Sequence, residues 1–166
     1  MRFTGMSKLL KFFLLLVVFS LPLFWFWMEW GQAAYQKLVG TAIVPLAKML
    51  GEKDLNLFVL KAHYMNAVPF LALMLATPAL SWKKRVTALI LGLALLFVWH
   101  LLFSLVLNHY QILWGPDRRF YRLFIPTISV NSALPVILWF ILAWKGAREL
   151  LGEIFHHPAA SSKGPQ

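Results

Sequence analysis

The chain has no cysteine among its 166 residues. That excludes a disulfide-stapled fold, a thiol nucleophile and a thiolate metal site. Charge is scarce as well: 13% of residues are charged, and Asp and Glu number only six against sixteen Lys and Arg. His-Glu-x-x-His, a P-loop and Gly-x-Ser-x-Gly are all missing, so none of those catalytic signatures applies. An ordinary soluble domain has about 25% charged and about 45–50% apolar residues. Here 60% are hydrophobic and 16% aromatic. A water-soluble monomer of this length could not bury so much apolar surface, and a disordered chain would be poor in the same residues. The class that remains is an integral membrane protein.

The net charge of +10 would raise the question of nucleic acid in a soluble domain. The basic residues, however, sit in small groups between apolar stretches: Arg2, Lys8 and Lys11; Lys83, Lys84 and Arg85; Arg118, Arg119 and Arg122; Lys145 and Arg148. Multi-pass proteins distribute charge this way, because a charge inside hydrocarbon costs kilocalories. The expected partner is therefore the lipid bilayer and not nucleic acid. Basic groups beside it attract anionic headgroups by about 1 kcal/mol each.

A crossing helix needs about 20 mostly apolar residues. Four charge-free stretches qualify: 12–28, 62–82, 86–107 and 123–144. The expected fold is all-α, a polytopic membrane protein with four transmembrane helices in a single domain spanning 1–155. Lys83-Lys84-Arg85 reads as a tight hairpin loop between the second and third helices. Counting Lys and Arg with the N-terminus inside gives nine inner and seven outer residues. The wholly basic short loop and the basic N-terminus decide the orientation, with both termini cytoplasmic in a bacterial inner membrane. The first stretch has a rival reading as a signal peptide cleaved near Gly31-Gln32-Ala33. Its seventeen charge-free residues, with Ser20 and Pro22 inside them, exceed the usual ~7–15 of a signal core. Trp25, Trp27 and Trp30 also resemble an interfacial aromatic belt. An uncleaved helix is the preferred reading.

Between the first two stretches, Leu38, Ala42, Ile43, Leu46, Met49 and Leu50 recur at roughly helical spacing. They predict an amphipathic helix on the outer membrane surface, bent or broken at Pro45, with Gly51-Glu52-Lys53-Asp54 as a turn. Residues 156–166 have no apolar periodicity and read as a disordered cytoplasmic tail. His156 and His157 in such a tail make a poor metal site, and no metal or other cofactor is expected.

Polar groups at membrane depth carry the most information, since they normally face other helices or a cavity. His63 and Asn66 open the second stretch. His100 lies seven residues before the end of the third, about 10 Å deep, and Ser104 follows one turn later on the same face. In the fourth stretch, Asn131 is about 12 Å deep, next to Ser132. These residues converge on one outer layer. Next to it, Gly115-Pro116-Asp117 is a turn signal. Arg118, Arg119 and Arg122 follow as candidate anion-binding groups, because guanidinium forks match carboxylate and phosphate. The competing reading is packing: Asn131 and Ser132 can join helices by hydrogen bonds worth about 0.6 kcal/mol each. Pro69, Pro78, Pro126 and Pro135 free carbonyls that polar neighbours can satisfy. A serine–histidine pair of Ser129 or Ser132 with His100 has no spacing to support it. No Asp or Glu lies in any of the four stretches, which argues against proton- or sodium-coupled transport and an intramembrane aspartyl protease.

The run Asn66-Ala67-Val68-Pro69-Phe70-Leu71-Ala72-Leu73-Met74-Leu75-Ala76-Thr77-Pro78, followed by Trp82-Lys83-Lys84-Arg85, resembles the helix and basic turn of exosortases and archaeosortases. The next helix, with His100 near its outer end, is similar too. The resemblance covers roughly residues 60 to 145. It implies multi-pass membrane enzymes that process proteins bearing a C-terminal sorting signal, with a catalytic cysteine, arginine and histidine. This chain lacks the cysteine, so the resemblance implies a non-catalytic relative, similar in size and character to the small exosortase H-associated membrane proteins. The expected function is an accessory or scaffold role, linked to exosortase-type sorting or surface polymer export, with another membrane protein as partner. The alternatives are a small membrane enzyme or lipid- or anion-binding protein using the outer arginines and His100, and a structural subunit of a larger complex.

Overall fold

The computed structural model describes residues 7–51, 66–78, 80–115 and 117–155. Every regular element among them is helical. α1 spans Lys8–Phe26, capped by the Ser7 hydroxyl, which accepts from the Leu10 N–H at 3.1 Å. A π-helical turn, Trp27–Gly31, joins it without a break to α2, Gln32–Met49. α3 is Ala67–Ala76, α4 Trp82–Trp114, α5 Arg118–Leu142 and α6 Trp144–Phe155. Three helical stretches are long and apolar enough to cross a membrane: Lys8–Met49, Trp82–Trp114 and Arg118–Leu142. Their outer faces are apolar, with Val17, Val18 and Leu21 on α1, Ile90 and Leu102 on α4, and Ile125 and Ile141 on α5 all exposed. Such a surface suits hydrocarbon, where a soluble monomer would aggregate.

The boundaries depart from the hydropathy reading in several places, for one physical reason. Hydrocarbon decides which residues are apolar, but backbone hydrogen bonds carry a helix on past the hydrocarbon edge. Lys83, Lys84 and Arg85 form the first turn of α4 and not a loop; the connection is Thr77–Ser81. α4 runs on through Asn108, His109 and Tyr110 to Trp114, where Gly115 ends it at φ +60°, a conformation that costs glycine nothing. α5 begins at Arg118, with the Asp117 carboxylate accepting from its N–H.

The segment expected to form a separate surface helix continues the first helix as one rod of 42 residues, about 63 Å long, and Pro45 lies inside it. Its buried face is Val39, Ile43 and Ala47, while Leu38, Leu46, Met49 and Leu50 are exposed. Only Ile43 of the expected apolar face is buried, because packing against α4 selects an i, i+4 row instead. Residues 52–65 and the 156–166 tail lie outside the described residues.

The second apolar stretch departs most. Its described helix, α3, has ten residues, about 15 Å. It stops at Thr77, which is extended at ψ 121° because the following Pro78 disfavours helical geometry there. Six of the ten residues are buried, and α3 packs against α1, α4 and α5. It threads the whole core. Ala67 and Val68 join Phe103, Leu107 and Phe120 at one level; Phe70 and Met74 join Leu96 and Leu138 at the next; Ala76 joins Phe12 and Leu150 at the last.

One close approach is to α4. A Cβ placed on Gly92 would lie 2.0 Å from Cζ of Phe70, whose ring is fully buried. Small residues permit this kind of close helix packing in membranes. Gly92→Ala is therefore expected to destabilise the bundle by about 1–3 kcal/mol. Thermal unfolding in detergent should show this, with part of the loss recovered when Phe70→Leu is added.

Candidate functional site

The polar groups of the bundle gather at the two ends of α3. At its first turn lies Asn66. Its side-chain amide donates to the backbone carbonyl of Asn131 on α5. That carbonyl is free for a reason visible in the sequence: its helical partner would be the N–H of residue 135, which is proline and has none. The Asn131 side chain in turn accepts from the indole N–H of Trp99 on α4 at 2.9 Å. Asn131 is 1% exposed. Three helices are thus tied at one point.

Beside it on α4, His100, Ser104 and Asn108 follow at four-residue intervals and are all buried, a polar stripe along one helix face. The Tyr35 hydroxyl on α2 and His100 Nδ1 share a hydrogen bond of 2.8 Å, and the two rings meet edge to face with centroids 5.6 Å apart.

At the other end of α3 sits Thr77, fully buried. Its hydroxyl donates to the Leu73 carbonyl and accepts from the indole N–H of Trp139 on α5, both at 2.6 Å. Its own carbonyl, just past the end of the helix, accepts from the Arg85 guanidinium at 2.7 Å. Arg85 comes from the first turn of α4. α6 closes over this joint with Gly146, where a Cβ would lie 2.3 Å from the Thr77 methyl and 2.8 Å from the Pro78 carbonyl.

Of the residues singled out from the sequence, Asn66 and Asn131 are therefore bonded to each other, and His100 and Ser104 share a buried face. Ser132 is exposed. His63 lies outside the described residues. Arg118, Arg119 and Arg122 are exposed on the first turns of α5. The Arg119 guanidinium lies 3.7 Å from the Asp117 carboxylate. Along α5, Arg118 lies thirteen positions and Arg122 nine positions before Asn131, about 20 Å and about 14 Å along the axis. The arginines and the polar layer are thus two places, not one. Ser129 is exposed and donates to the carbonyl of Ile125 at 3.0 Å, whereas His100 is fully buried. Among the described residues, no three His, Asp or Glu side chains are grouped to hold a metal ion.

Sequence reasoning passed over Trp99, Tyr35, Thr77, Trp139 and Arg85. Two signals pointed to some of them. Thr77-Pro78 announces a helix end at hydrocarbon depth, and an indole N–H buried among apolar helices needs an acceptor. The Asn131 carbonyl freed by Pro135 and the Thr77 carbonyl at the end of α3 are each filled by a side chain from another element, and that is what this constellation does chemically.

Asn66→Ala is expected to cost about 1–3 kcal/mol by orphaning the Asn131 carbonyl. In a Pro135→Ala background the new N–H should fill that carbonyl, and most of the cost should vanish. A double-mutant cycle on unfolding free energies in detergent reads the coupling. Comparison of the chain with family models, with curated proteins and with solved structures finds no match.

Proposed function

We propose that this chain is a non-catalytic accessory or scaffold protein of a bacterial inner membrane. In this reading it makes four passes, with α3 and its flanks as the second, and both termini are cytoplasmic. It presents a larger membrane protein with a fixed surface, and exosortase-type protein sorting or surface polymer export is the setting. The observation that carries the reading is how the buried and half-buried polar groups are used. The Asn66 amide, the Asn131 side chain, the Trp99 indole, the Tyr35 hydroxyl and the Thr77 hydroxyl are engaged across helices. Side chains that hold a bundle rigid are what a scaffold needs.

The setting rests on the sequence resemblance at Asn66–Pro78 and Trp82–Arg85 together with the absent cysteine. The enzyme reading asks the outer arginines and His100 to act on one substrate although about 14 to 20 Å of α5 lies between the three arginines and Asn131 in the layer.

The tagged full chain, solubilised in mild detergent, is expected to co-purify with a multi-pass sorting enzyme encoded beside it. Recovery only as a free monomer, with nothing captured by crosslinking in the intact membrane, counts heavily against the proposal. His100→Phe should leave the complex intact wherever the protein still accumulates. Loss of function at unchanged protein level and unchanged complex would favour a chemical role for the histidine.

A further inference from the structure

At the end of the bundle that holds Arg85, α4 presents two different faces. Arg85 turns inward to the Thr77 carbonyl. The neighbouring Lys83 and Lys84 line a cleft of about 690 Å³ between the start of α4 and the junction of α5 with α6, where Lys145 joins them. That volume lies within the roughly 300–1,000 Å³ of small-molecule sites. Ala88, Leu91 and Leu142 supply apolar wall, and no described residue lining the cleft is acidic. None of the three lysines forms an ion pair among the described residues. The site therefore joins concentrated positive charge to an apolar floor, and Leu91, being exposed, makes that floor continuous with the lipid-facing side of α4.

The depth of the cleft follows from its tryptophans. Trp82 and Trp144, both exposed, stand at the start of α4 and the start of α6, and Trp144 lines the cleft. Exposed tryptophans at the ends of apolar helices sit at the headgroup level. A basic recess between membrane helices at that level matches an anionic headgroup with acyl chains lying on the adjoining apolar surface.

We propose that this cleft binds an anionic phospholipid: the phosphodiester sits among Lys83, Lys84 and Lys145, and an acyl chain lies along Leu91 and Leu142. The attraction also receives the positive end of α4, whose first-turn N–H groups have no side-chain cap and favour an anion. A free phosphate would use the lysines but gain nothing from the apolar wall, so the occupant is a lipid. The site is separate from the outer arginines and independent of the accessory role.

The test uses the purified full chain in nanodiscs of mixed phosphatidylcholine and phosphatidylglycerol, with bound lipid read by native mass spectrometry. The wild-type chain should retain phosphatidylglycerol over phosphatidylcholine. The triple variant Lys83→Gln, Lys84→Gln, Lys145→Gln should weaken that retention about tenfold or more. The triple variant Arg118→Gln, Arg119→Gln, Arg122→Gln, which removes the same charge, should change it less than about twofold. Leu91→Trp, which keeps every charge but fills the apolar wall, should also lose the lipid. Unchanged retention in the lysine triple or in Leu91→Trp overturns the proposal. So does an equal loss in both charge triples, which would mean a general charge effect. Displacement of the lipid by excess inorganic phosphate would overturn it in favour of a free-anion site.

Discussion

The structure depends on a constraint of the bilayer: a backbone carbonyl or N–H in hydrocarbon has no water to turn to and must be satisfied by protein. Pro135 takes away the helical partner of the Asn131 carbonyl, and the Asn66 side chain replaces it. Pro78 stops α3 at Thr77, and Arg85 takes up the carbonyl left there. These repairs tie α3 to α5 at one end and to α4 at the other. The Trp99 and Trp139 indoles complete each joint from the remaining long helix. A ten-residue helix would be marginal by itself. Held at both ends, it becomes the axis around which three long helical stretches pack.

Packing along that axis uses shape more than the hydrophobic effect, because lipid tails are as apolar as leucine. Gly92 admits the Phe70 ring, and Gly146 admits Thr77 and Pro78. These contacts allow α4 and α6 to approach α3 closely. The arrangement separates two kinds of surface. Inside, Asn66, Trp99, Asn131, Tyr35, His100, Thr77, Trp139 and Arg85 join helices through hydrogen bonds. Outside, charge lies at the two ends, with lysines around the cleft between α4 and α6 and arginines at the start of α5, and apolar side chains lie between.

Much of the fold was legible in the sequence. Charge-free runs located the first, third and fourth stretches, and Gly115 and Asp117 marked the turn between α4 and α5. What was not legible depends on tertiary partners. The buried row Val39, Ile43, Ala47 differs from the apolar row read by periodicity, because contact with α4 and not hydrophobicity chose the face. Lys83–Arg85 read as a loop because charge leaves hydrocarbon, yet a helix's first turn can sit at the interface. The site was half legible. That Asn66 and Asn131 share a level was expected from counting residues, and the two are hydrogen-bonded. That Asn66 serves the carbonyl freed by Pro135 needed the fold, since 69 positions separate the two in the chain.

The most direct measurement is hydrogen–deuterium exchange of the α3 amides in lipid nanodiscs, compared between the wild-type chain and the Thr77→Ala variant. The expected result is slow exchange across Phe70–Ala76 in the wild-type chain. In the variant, that segment alone should accelerate, while the mid-membrane amides of α4 and α5 stay protected. Exchange in α3 that is already fast in the wild-type chain, or is untouched by loss of the Thr77 hydroxyl, would contradict the claim that polar joints at its two ends hold α3 at the centre of the bundle.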